Sequence, residues 1–66
     1  MKNANVRKPS RRLTREDAVT IWKRRLSGEF QHRIAADLDV NPGRVNEVIK
    51  GHRFPEAEHI ARASFH

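Results

Sequence analysis

Three side chains and a glycine on one short stretch have the chemistry to address base edges: Gly43, Arg44, Asn46 and Glu47. Arginine can pair bidentately with guanine, asparagine with adenine, and glutamate can accept from the amino group of cytosine. A glycine removes a side chain where the start of a helix would approach a groove closely. The spacing suits one face of a helix. With Val45, Val48 and Ile49 turned to one side, Gly43, Asn46, Glu47 and Lys50 fall on the other and Arg44 lies on the flank. The same face has a plainer reading, a solvated surface with an Arg44–Glu47 pair three residues apart, worth about 0.2–0.5 kcal/mol.

The helix that must position these groups begins at a favourable place. Asn41 is a preferred N-cap residue and Pro42 stands at the first helical position, where its missing N–H is no loss. Gly51 suits a left-handed C-terminal cap, so the segment reads as a helix over about 42–50. Ahead of it, Phe30 to Leu38 predicts a helix with Phe30, Ile34, Ala35 and Leu38 inward, followed by a turn at Asp39-Val40.

Thr14 and Asp17 have capping-box spacing, with Asp in place of the usual Glu or Gln, so a first helix starts near Arg15 and ends at Ser27-Gly28. Ala18, Val19, Ile21, Trp22 and Leu26 share an arc of roughly 160° on its wheel. Ile21 and Arg25 mark either the rim of the core or a surface that meets a second subunit. A fourth helix restarts at Phe54-Pro55-Glu56 and runs to about Ser64, with Ala57, Ile60, Ala61 and Phe65 on one side. The expected fold is all-α: a compact four-helix helix-turn-helix domain over residues 14–66, with a flexible, disordered basic arm over residues 1–13.

Charge separates the two parts. The chain of 66 residues carries a net charge of +6, yet the first 15 residues hold six Lys/Arg and no acid, while the remainder holds eight of each sign. All the excess lies at the start. An apolar-poor basic arm cannot bury enough surface to fold alone, and such arms track phosphates or enter minor grooves. Arg7, Lys8, Arg11 and Arg12 are therefore candidate phosphate contacts, the alternative being a solubilising tail or a leftover of expression. Lys23-Arg24-Arg25 reads either as a second phosphate contact or as a solvated face.

Other chemistry finds little support. With no cysteine there is neither a disulfide nor a thiolate zinc site. Glu56 and His59 lie one helical turn apart but supply too few ligands for a metal, and His32, His52 and His66 show no ligand spacing with them. No nucleophile set or Gly-rich phosphate loop is present, so neither an enzyme nor a cofactor is expected. Trp22 and Phe30 read as core rather than as stacking platforms. No apolar run approaches the roughly 20 residues needed to span a bilayer, and Met1 to Arg12 lacks the apolar core of a signal peptide, which places the expected protein in the cytoplasm, at the nucleoid.

From Phe30 to Phe54 the chain resembles the helix-turn-helix of small repressor-like DNA-binding regulators of phage and bacterial type. The resemblance rests on Gln31, Ala35, Asp39-Val40, Val45 and Val48, and on the run Val-Asn-Pro-Gly-Arg-Val-Asn-Glu-Val-Ile-Lys-Gly-His-Arg from Val40 to Arg53. It departs from the pattern at Asp39, where those proteins usually have Gly in a left-handed turn. The resemblance implies transcriptional regulation by a homodimer on double-stranded DNA, with no small-molecule ligand and no membrane. It implies that Gln31 bonds a phosphate, that Pro42, Gly43, Arg44, Asn46 and Glu47 face the major groove, and that Lys50, His52 and Arg53 lie near the backbone. A non-specific architectural DNA binder, and an antitoxin or adaptor whose helix-turn-helix face meets an acidic protein, are the alternatives.

Overall fold

The computed structural model describes residues 12–64, which form four helices: α1 (Arg15–Leu26), α2 (Gln31–Leu38), α3 (Pro42–Ile49) and α4 (Glu56–Ser64). No strand occurs among the described residues, so the all-α class holds. Most of the expected arm, including Arg7, Lys8 and Arg11, lies outside the described residues, as do Phe65 and His66.

Helix α1 starts where the capping box puts it. Thr14 Oγ1 accepts from the Asp17 N–H at 3.1 Å and Asp17 Oδ2 accepts from the Thr14 N–H at 3.0 Å, so the shorter Asp closes the box as Glu would. Leu13, counted with the arm in the sequence reading, packs with the helices. Leu13 is buried against the core, because an apolar residue just before the cap folds under the first turn.

Helix α1 packs on all three others, and α2 packs on α3. Ile21, left between rim and subunit surface by the sequence, is wholly enclosed together with Ile34, Val45 and Val48. Arg25 is half-buried and its Nη1 donates to the Glu29 carbonyl at 3.1 Å. Trp22 lies at the edge of the core, with the Arg62 guanidinium 5.7 Å from its ring centroid. Arg15 Nε meets Glu56 Oε2 at 3.0 Å, start against start, so α1 and α4 run side by side in the same sense. On α4 the two alanines, Ala57 and Ala61, are buried, whereas Ile60 remains 39% exposed. The close approach permitted by the alanines leaves the larger side chain at the margin.

Three helix ends turn through a left-handed residue. Gly28 and Gly51 have φ of 96° and 83°, and Asp39 has φ 60°. At the end of α2 the Asp39 N–H donates to Ala36 O at 3.2 Å and the Val40 N–H to Ala35 O at 3.0 Å, the bond pair of a Schellman ending, and Val40 turns into the core. Aspartate tolerates this conformation less well than glycine. Asp39→Gly is therefore expected to raise stability by about 0.5–1 kcal/mol, or roughly 4 °C or more in Tm for a domain of this size. A lower Tm in a thermal melt would contradict the role assigned to this turn.

Candidate nucleic-acid interface

The rotation of α3 is set by Val45 and Val48, both wholly buried. Gly43, Arg44, Asn46 and Lys50 are consequently exposed and Glu47 is half-exposed, as the helical spacing requires. Asn41 caps the helix: its Oδ1 accepts from the Gly43 N–H at 2.7 Å, with Pro42 at the first turn. A Cβ at position 43 would stand 3.1 Å from that same oxygen, which gives the glycine a local reason to be there, since it lets the cap close.

Glu47 is the joint of this surface. Arg44 Nη1 donates to both Glu47 carboxylate oxygens, at 3.1 and 3.2 Å, and Arg53 Nε donates to Oε1 at 2.8 Å. The hydrogen bond from Arg53, followed by that from Arg44, holds the Glu47 carboxyl below its ordinary range. The backbone closes the same corner. Gly51 donates to Val48 O at 3.1 Å and His52 to Glu47 O at 2.9 Å, which folds the exit turn back toward the helix. The structure thus joins Arg44, Glu47 and Arg53 into one bonded group, with Lys50 and His52 exposed beside it. Sequence spacing exposes the Arg44–Glu47 pair but not the Arg53–Glu47 pair, because six residues apart is no helical neighbour and only the reversal at Gly51 brings Arg53 back.

Gln31 is the first residue of α2 and is half-buried. Beside it is a correction: Phe30, expected in the core, is 69% exposed and stacks on His32, ring centroids 6.1 Å apart and planes nearly parallel. Phe30 has extended backbone ahead of the helix, at φ −80° and ψ 147°, so the helical phase that would turn it inward does not apply. Arg12 is exposed at the foot of α1.

The cluster Lys23-Arg24-Arg25 is not a uniform basic patch. Arg24 binds the carboxylates of Glu29 and Asp37, tying the end of α1 to the following turn and to α2. These bonds raise the Arg24 pKa, and Arg24 in turn holds Glu29 below the ordinary carboxylate range. Arg24 and Arg25 are committed within the fold, which leaves Lys23 as the exposed cation of the three.

Among the described residues no three His, Asp or Glu side chains come together as a metal site, and Glu56 is engaged by Arg15. No described helix is long and apolar enough to cross a membrane. No protein-family model, curated protein or solved structure matches this chain.

Proposed function

We propose that this chain is a sequence-specific duplex-DNA-binding protein that regulates transcription, with α3 in the major groove and the basic segment before α1 on phosphates. The observation that carries the reading is the division of α3: Val45 and Val48 are buried in the core while Gly43, Arg44 and Asn46 stand exposed on a capped helix. Arg44 reaches guanine, Asn46 adenine, and Pro42 and Gly43 form a slim leading edge. Gln31 at the start of α2, with Lys50, His52 and Arg53 after α3, supplies phosphate contacts that fix the register. A homodimer on an inverted repeat is the proposed assembly, since one module of this size buries little surface on DNA. The proposed place of action is the cytoplasm, on the nucleoid.

Selection from a random duplex library at about 150 mM salt, where phosphate attraction is partly screened, tests the reading. An enriched inverted repeat is expected. Arg44→Ala is then expected to weaken the selected duplex by about 1–3 kcal/mol and to relax preference at one base position. Equal loss on selected and random duplexes would remove Arg44 from the base-reading role.

One observation favours a second reading, a binder with little sequence preference: the whole of the net charge lies in the first 15 residues of the sequence and none of it in the remainder that includes α3. Retained binding without enrichment would select it.

A further inference from the structure

A surface built to attract phosphate has no use for a carboxylate at its centre, yet Glu47 occupies that position on α3. It does not stand there as a loose acceptor. Its two oxygens are engaged by Arg44 from the same helix and by Arg53 from the exit turn, and its carbonyl accepts from the backbone N–H groups of His52 and Arg53 at 2.9 and 3.4 Å. One residue therefore joins the flank of α3 to the loop that leaves it.

We infer that Glu47 is a built-in counterion of the reading surface, a positioning residue that holds Arg44 and Arg53 in place and withholds part of their charge from phosphates. The inference rests on the DNA-binding reading above and assigns Glu47 a different task from that of a cytosine acceptor. Two physical effects support it. An unpaired Arg on a flexible stem would bind any phosphate within reach, an attraction without sequence information. A planar guanidinium held by a carboxylate loses less freedom when it meets a base edge, and the donors that the carboxylate does not use remain for that edge. The carboxylate thus lowers affinity for arbitrary duplex and favours discrimination.

The test compares the full chain with Glu47→Gln, and with Glu47→Gln combined with Arg53→Gln, on the selected duplex and on a random duplex between 0.1 and 0.4 M salt. Glu47→Gln is expected to bind random duplex about fivefold more tightly at 150 mM salt, the effect of one additional phosphate contact at a log–log slope of about −0.9 reckoned from 1 M. The slope should steepen by about that amount, and the ratio of selected to random affinity should narrow. The thermal midpoint serves as the control for folding, because Gln has the same shape and the site is half-exposed. The double variant restores the net charge and should return random affinity to the parent value, while the narrowed ratio persists because Arg44 still lacks its partner.

Unchanged random affinity and slope in Glu47→Gln would overturn the inference. Loss of preference at a single base pair with random affinity unchanged would also overturn it, by placing the Glu47 carboxylate on a base. A parent chain that binds no duplex at any salt would overturn the DNA-binding reading and this inference together.

Discussion

Ile21→Ala is expected to abolish most of the folded population at 37 °C. Ile21 is one of only four large side chains wholly enclosed in the described domain, and it belongs to the helix that touches every other helix. Truncating a buried Ile to Ala costs about 2–5 kcal/mol through lost transfer energy and an unfilled cavity. A single core in a chain this short supplies about 3–5 kcal/mol of net stability, so the loss is comparable with the whole. Thermal melts followed by far-ultraviolet circular dichroism would show a broad transition at greatly lowered temperature. Ile60→Ala, at the exposed margin of α4, is the control and should change stability by no more than about 0.5 kcal/mol. If the two variants melted alike, α1 would not be the centre of the core.

The second large effect is expected from the charges ahead of α1. Replacing Lys2, Arg7, Lys8, Arg11 and Arg12 together by Gln leaves the four helices intact and removes five positive charges. If each neutralises one phosphate, the salt dependence of binding flattens by about 4.5 on a log–log plot, and affinity at about 150 mM salt falls by on the order of a thousandfold or more. Specificity should change little, since phosphate contacts carry no base information. Filter binding or fluorescence anisotropy across a salt series measures both quantities. An unchanged slope would show that α3 and its exit turn carry the affinity alone.

Local signals in the chain fix the helix ends because they act over a few residues. Thr14 with Asp17, Asn41 with Pro42, and Gly28 and Gly51 each satisfy backbone groups at a helix end, so type and spacing suffice. Asp39 is the instructive case. The turn pattern puts an unusual residue in a left-handed conformation there, and its φ of 60° agrees. The periodic valines of α3 likewise determined which of its side chains face outward. The helical phase fails at Phe30, because that residue precedes the helix, and it gives no signal for Leu13, which lies before the first periodic turn.

What the sequence by itself determined, then, is where the four helices lie and which face of α3 is free. Both follow from caps and from periods of about 3.6 residues, which involve neighbours along the chain. Only the tertiary structure decided which cations remain available. Arg24 is bound to Asp37 thirteen residues away, Arg15 to Glu56 across two helices, and Arg53 returns through the Gly51 turn to Glu47. It also decided that Phe54 adopts a φ of 49° ahead of Pro55, a left-handed state unfavourable for an aromatic, held by the packing of its ring against the core. Pairings of this kind depend on how helices dock, and docking is set by the summed burial of residues distant in sequence, which no local spacing encodes.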